Sequence, residues 1–385
     1  MIIDKFPIDK FSQLETPFYY YDIDLLKQTL NSIQAEIKDK PFYVHYALKA
    51  NSNTRILQEI SKQGFGADCV SGNEILRAVE NGFDPQHIAF AGVGKTDKEI
   101  NIALENNIFS FNVESIPELQ AINSLAKVKN KKAKIALRIN PNVDAQTHSY
   151  ITTGLNENKF GLEEESIPKV LELLPTLTSI KLTGLHFHIG SQITELSAYK
   201  NLCNKINELQ TQFEAKGIYF DHINVGGGLG IDYENPDKQP IANFSNYFKL
   251  FSDYLELRNK QTLHFELGRS VVAQCGSLIS RVTYLKEGIK KNFAIIDAGM
   301  TDLIRPALYQ AFHHIENLTS EEEPSPYDIV GPICESSDTF AKSFLLNKTK
   351  RGDILAIRSA GAYGEVMASR YNCREFAKSY FSDTI

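Results

Sequence analysis

The sequence predicts a (β/α)8 TIM-type barrel followed by a C-terminal antiparallel β-sandwich or small β-barrel. Three observations carry that expectation. Eight short apolar runs alternate with helix-like stretches over about 220 residues, which argues for parallel strands joined by right-handed crossovers. From Ser270 onward the rhythm changes to strand-like pieces punctuated by glycine and proline. The chemistry-bearing side chains collect at the ends of the eight runs, where a barrel keeps its active site. On pattern alone an open doubly wound sheet is the alternative.

The elements follow in order. Residues 1–20 end in the β-prone Phe18-Tyr19-Tyr20-Tyr21 and can add a strand to the C-terminal part. The first barrel strand, 42–48, is bounded by Pro41 and the polar Asn51-Ser52-Asn53. Helix 54–63 stops at Gly64, strand 65–71 follows, and helix 73–81 stops at Gly82. Strand 88–92, helix 97–106 and strand 108–113 come next, then helix 117–127 with Ser115 as cap ahead of Glu118. Strand 134–140 ends at Pro141. Helix 164–174, strand 182–190, helix 196–216, strand 222–228, helix 243–258 and strand 262–268 complete the eight units. Strand pieces at 277–282, 293–298, 327–330 and 353–357 mark the β-rich remainder. The acidic run Glu321-Glu322-Glu323 reads as a solvated loop. The expected division is a barrel over 22–268 and a β-domain from 1–21 and 269–385.

Composition narrows the function. The chain has 385 residues, 42% hydrophobic and 23% charged, which suits a globular protein of this size. A net charge of -6 without a basic stripe argues against nucleic acid. No apolar run approaches the ~20 residues of a membrane span. Residues 1–15 mix charges with isolated apolar side chains, unlike a signal peptide. Five scattered cysteines suit reduced thiols in the cytoplasm. Cys69, Cys203, Cys275 and Cys373 are expected to be small buried hydrophobes.

The strand ends give an inventory. The first ends at Lys49. A buried ammonium is costly unless paired, and desolvation lowers its pKa toward a nucleophilic amine. Lys49 is therefore either a Schiff-base lysine for an aldehyde cofactor or a side chain snorkelling to solvent. The second strand carries Asp68 and Ser71, and the fifth carries Arg138 and Asn140. The sixth ends in His186-Phe187-His188-Ile189-Gly190-Ser191. His186 and His188 share a face, as two metal ligands or as a flat imidazole on a planar ring. The seventh ends in Gly226-Gly227-Gly228-Leu229-Gly230. Its bare N–H groups suit a phosphate, with Arg269 able to add a contact, or form a plain tight turn. The eighth ends in Glu266-Leu267-Gly268-Arg269. Glu266 is placed to bind a pyridine nitrogen or to pair with Arg269.

Lys49, the Gly66-x-Asp68-x-x-Ser71-x-x-Glu74 pattern, Gly184 to Gln192, the Gly226 run and Glu266-Leu267-Gly268-Arg269 together resemble the fold-type III pyridoxal-phosphate decarboxylases. Asp297 to Met300, Arg305-Pro306-Ala307-Leu308-Tyr309, Gly331 to Asp338 and Gly361-Ala362-Tyr363-Gly364 sharpen this to the diaminopimelate decarboxylases of that family. The resemblance runs over roughly residues 17–375.

It implies pyridoxal 5'-phosphate as cofactor, no metal, and a homodimer with shared active sites completed by the β-domain. Lys49 would hold the cofactor, Asp68 would lie beside it, and Arg138 near the ring's phenolic oxygen. His188 would stack on the ring, and Glu266 would bind its nitrogen. Ser191, the glycines Gly226, Gly227, Gly228 and Gly268, Arg269 and Tyr363 would form the phosphate site. Cys334, the proton donor, and Glu335 would come from the partner. Arg269, Arg305, Tyr309, Glu335 and Tyr363 would bind an amino-acid substrate. Residues 148–154 resemble the family's mobile lid. The implied reaction is decarboxylation of meso-2,6-diaminopimelate to L-lysine, the last step of lysine biosynthesis. Carboxynorspermidine, ornithine or arginine are alternative substrates, and a catalytically inactive regulatory homologue is an alternative class.

Overall fold

The structure is a computed structural model and describes residues 6–143 and 159–385. Two compact units divide the chain. One takes the described residues of 30–230 and 243–269, and the other takes those up to 29 with 231–242 and 270–385.

Along the chain the strands begin with β1 (Phe18–Tyr21), β2 (Phe42–Ala47), β3 (Gly66–Cys69), β4 (Ile88–Phe90) and β5 (Ser110–Val113). They continue with β6 (Ala133–Arg138), β7 (Ile180–His186), β8 (His222–Asn224) and β9 (Thr262–Leu267). In the first unit β2 to β9 are parallel neighbours, and β9 pairs back onto β2 to close a barrel. The open sheet is thereby excluded. Several helices start where a short polar side chain takes one of the first orphan N–H groups. Asn53 accepts from Arg55, Ser71 from Glu74, and Ser115 from Glu118, while Thr96 and Glu99 form a reciprocal capping box. The helix expected over 243–258 stops at Tyr254. The Asn207 side chain caps its end, donating to the Tyr254 carbonyl and accepting from Glu256 N–H at 3.0 Å each.

Side chains on a strand alternate, so inward residues recur every second position. Here that builds two layers. The lower layer holds His45, Gly66, Gly184, His222 and His264. Two residues further along each strand stand Ala47, Asp68, His186, Asn224 and Glu266. Gly66 and Gly184 are glycine because the histidines fill their space. An added Cβ would sit 2.5 Å from His45 Nδ1 and 2.3 Å from His222 Nε2.

The floor histidines form an ordered chain. His45 Nδ1 lies 2.9 Å from the His87 carbonyl, which only accepts, so Nδ1 carries the proton. His45 Nε2 therefore accepts from His264 Nδ1 at 2.8 Å, and His264 Nε2 accepts from the Thr262 hydroxyl at 2.9 Å. Burial pushes His45 down to about 4 and His222 to about 3, and lowers His264 as well. Unfolded histidines protonate near pH ~6.5, while these stay neutral in the fold. Stability from this layer is complete above that pH and is lost as pH falls from about 6.5 toward about 4. Urea midpoints measured between pH 7.5 and 4.5 should therefore fall with acidity. His222→Leu, which removes a buried Nε2 that has no hydrogen-bond partner among the described residues, should flatten the profile. An unchanged slope in that variant contradicts this account.

The second unit contains β1 with β10 (Gly276–Glu287), β11 (Asn292–Ile296), β12 (Ile315–Asn317), β13 (Pro324–Val330), β14 (Thr339–Asn347), β15 (Ile354–Ile357) and β16 (Lys378–Phe381). Its order is β12-β15-β10-β11-β13-β14, with β1 beside β10 and β16. The unit is β-rich as expected, and its sheet is mixed: β11–β13 and β1–β16 are parallel. Phe6, Phe11, Phe18, Tyr20, Ile279, Ile354 and Ala356 pack into one apolar cluster. Cys69, Cys203 and Cys275 are buried, whereas Cys373 is exposed, on a turn where Asn372 and Cys373 both have positive φ. The expectation of a buried Cys373 is thus corrected. Among the described residues no helix is long and apolar enough to cross a membrane.

Candidate active site

Three neighbouring strands bring the central charges together. Lys49 follows β2 in a single 3-10 turn, Leu48–Ala50. Asp68 on β3 pairs in register with Ala47, and Glu266 lies on β9, the other neighbour of β2. Lys49 Nζ donates to Asp68 Oδ2 at 3.1 Å. Burial, then the Glu266 charge, push Asp68 up, and Lys49 pulls it back.

Glu266 sits in a closed cage. Asn112 and Asn224 donate to Oε1 at 3.0 and 2.7 Å, and His186 Nε2 lies 3.0 Å from Oε2. Burial alone would raise this carboxyl. The His186 ring and the Lys49 charge outweigh it and hold Glu266 well below the usual carboxylate range. The barrel thus keeps a buried negative charge beside a lysine.

The glycine run follows β8. Gly226 and Gly228 have φ of +67° and +105°, and a Cβ on Gly227 would stand 1.9 Å from the Glu266 carbonyl oxygen. Only glycine fits there, so no Cβ crowds this stretch of backbone. Gly227 N–H points at His188 Nδ1 at 3.3 Å, making that nitrogen the acceptor. Burial, then Arg138 and Lys49, hold His188 well below its ordinary value, so it is a neutral, half-buried ring. Arg269 Nη2 donates to Ser191 Oγ at 2.9 Å, which leaves the hydroxyl proton to donate onward. Leu267 and Gly268 link Glu266 and Arg269. At the end of β6, Arg138 Nη1 lies 3.0 Å from both Glu114 oxygens, with the Phe160 ring 4.8 Å from the guanidinium carbon.

Five further residues singled out in the sequence belong to the β-rich unit. Arg305 and Tyr309 open and close the helix Arg305–Tyr309, and Arg305 is buried. Cys334 is exposed, and its N–H lies 3.4 Å from Asn372 Oδ1. Glu335 accepts from Tyr371 OH at 2.7 Å. Tyr363 is half-buried with φ of +57°.

A family profile described as the pyridoxal binding domain of pyridoxal-dependent decarboxylases matches residues 24–273. The diaminopimelate decarboxylase of Bacteroides thetaiotaomicron is 60% identical over 381 residues, covering 99% of each chain. The chain belongs to the diaminopimelate decarboxylases. That of Vibrio cholerae is 44% identical, over 95% of this chain and 87% of its own. The crystal structure of the Helicobacter pylori diaminopimelate decarboxylase complexed with L-lysine superposes with a TM-score of 0.92. Its sequence identity is 42%, and 97% of this chain and 93% of that one are covered.

Diaminopimelate decarboxylases are carboxy-lyases that use pyridoxal phosphate, and the residues present fit that group. A Cβ-free cradle suits its phosphate, an amine on an acidic partner suits its aldehyde, and an ionised Glu266 suits its ring nitrogen. Buried Asp68 Oδ1 has no hydrogen-bond partner among the described residues. Among the described residues no group of three ligating side chains could hold a metal. The lid expected at 148–154 lies outside the described residues. Asn112, Asn224 and Glu114 were missed in the sequence. Their signal was a polar side chain inside or ending an otherwise apolar buried strand.

Proposed function

We propose that this chain decarboxylates meso-2,6-diaminopimelate to L-lysine and CO2, as a cytoplasmic homodimer whose β-rich unit completes the active sites. The observation that carries this reading is Lys49 on Asp68 beside a caged, ionised Glu266, in a chain 60% identical to a diaminopimelate decarboxylase.

When bound, pyridoxal phosphate supplies an electron-withdrawing ring that takes up the electron pair left as CO2 departs. Lys49 would hold the cofactor through Nζ. Asp68 orients Nζ. Glu266 would keep a proton on the ring nitrogen, His188 would offer a neutral imidazole to the ring, and Arg138 would serve the phenolic oxygen. Gly226, Gly227, Gly228, Gly268, Ser191, Arg269 and Tyr363 would hold the phosphate. Cys334 of the partner subunit returns a proton to the substrate α-carbon. Arg305 and Tyr309, with Arg269 and Tyr363, take the distal carboxylate, and the partner's Glu335 takes the distal ammonium.

Cationic substrates such as ornithine or arginine have no carboxylate for Arg305. Arg305→Met is therefore expected to raise KM for diaminopimelate by roughly 100-fold, the worth of a charge-assisted pair, with a smaller change in kcat. Initial rates over substrate concentration decide it, and an unchanged KM removes Arg305 from the substrate site. The reaction is tested by measuring CO2 and lysine release with added cofactor, with ornithine, arginine and carboxynorspermidine in parallel. Turnover of another amine instead would overturn the substrate. Neither turnover nor bound cofactor would favour an inactive regulatory homologue.

A further inference from the structure

Arg305 is held in a specific way within the β-rich unit. It is 5% exposed. Its Nη1 donates to His313 Nε2 at 2.9 Å, and its guanidinium carbon lies 4.9 Å from the centre of the Tyr233 ring. The other edge of His313 fixes its protonation. Nδ1 lies 2.8 Å from the Arg358 carbonyl oxygen. A carbonyl only accepts and a guanidinium only donates. His313 is therefore the neutral Nδ1–H tautomer, with its Nε2 lone pair on Arg305. Tyr233 stands edge-on to His313, centroids 5.2 Å apart and planes at 78°. The ring that covers the guanidinium thus also wedges the imidazole. Beyond them Arg358 is fixed by Glu316 at 2.5 Å and Asp237 at 3.1 Å. A carboxylate in place of His313 would hold Arg305 equally firmly but would cancel its charge. A neutral acceptor orients the guanidinium without neutralising it.

We propose that His313 is a positioning residue for substrate selection, which with Tyr233 fixes the plane and rotation in which Arg305 meets the carboxylate at the far end of the amino-acid substrate. This rests on the assignment of Arg305 to that carboxylate. Guanidinium–carboxylate recognition is planar and two-pronged, so it depends on that rotation more than a lysine contact does.

The test uses the full-length holoenzyme and two inhibitors, L-lysine, which keeps the far carboxylate, and cadaverine, which lacks it. His313→Leu should raise KM for diaminopimelate and Ki for L-lysine about tenfold. It should leave kcat within about twofold and Ki for cadaverine unchanged. His313→Gln, which restores an acceptor oxygen, should recover most of the loss. Equal weakening of both inhibitors, or a fall in kcat at constant KM, makes His313 merely structural and overturns the proposal. Should His313→Leu fail to fold, Tyr233→Leu must give the same split between the inhibitors, and equal weakening by it overturns the proposal too. Arg305→Met separates the two failures. If it leaves Ki for L-lysine unchanged, the assignment of Arg305 has failed. If it raises that Ki while the His313 variants do not, only the positioning role has failed.

Discussion

Replacing Lys49 with alanine should remove the covalently held cofactor's visible absorption and lower turnover of diaminopimelate on the order of 10³-fold or more. The structure also gives this change a stability consequence. Asp68 is fully buried, and Lys49 donates to it at 3.1 Å. Losing the ammonium leaves a buried carboxyl with Glu266 close by, and burial already pushes Asp68 upward. The expected response is protonation of Asp68 or a lower melting temperature, since stranding one member of a buried pair is costly. The double variant Lys49→Ala/Asp68→Asn should recover the melting temperature and remain inactive. Near-normal turnover in a folded Lys49→Ala would sink the assignment of this lysine.

Glu266→Gln should lower kcat by about 10²- to 10³-fold, the usual cost of losing one preorganised electrostatic group, while the protein still folds. The cage explains why so small a change matters. Oε1 accepts from two asparagine amides, so the glutamine oxygen must stay on that side. Its amide then faces His186 Nε2, which can answer only by becoming an acceptor. That tautomer puts a proton on His186 Nδ1, a buried nitrogen with no hydrogen-bond partner among the described residues. The substitution therefore removes the charge and strands an N–H. Stopped-flow turnover and the spectrum of bound cofactor report both effects. A kcat within twofold of the parent would remove Glu266 from the chemistry.

Much of this was legible in the sequence, because closure of eight parallel strands is written in alternation and the inward residues in period two. Gly66 and Asp68, Gly184 and His186, His222 and Asn224, and His264 and Glu266 are each one such step. The strand ends were read two to four residues too long at β3, β4, β6, β7 and β8. The cause is physical. The turns that follow are themselves buried and apolar, with Phe187, Ile189 and Val225 all inaccessible, so they carry the hydrophobic signal of a strand. The amide clamp on Glu266 was illegible because Asn112 reaches it from β5 across the barrel and Asn224 from the neighbouring β8, through partners 154 and 42 residues away. Strand β14 was missed because its exposed Lys342, Ser343 and Leu345 break the simple alternation.

The position of β1 also has a consequence in time. Its partners β10 and β16 begin some 250 and 350 residues later. On a ribosome adding roughly 5–20 residues per second, Phe18-Tyr19-Tyr20-Tyr21 waits tens of seconds before its first neighbour exists. During that wait a strand that ends up fully covered is an open aromatic edge on a nascent chain. The whole barrel, β2 to β9, is synthesised first. The first of the described strands to be made is therefore among the last to be paired.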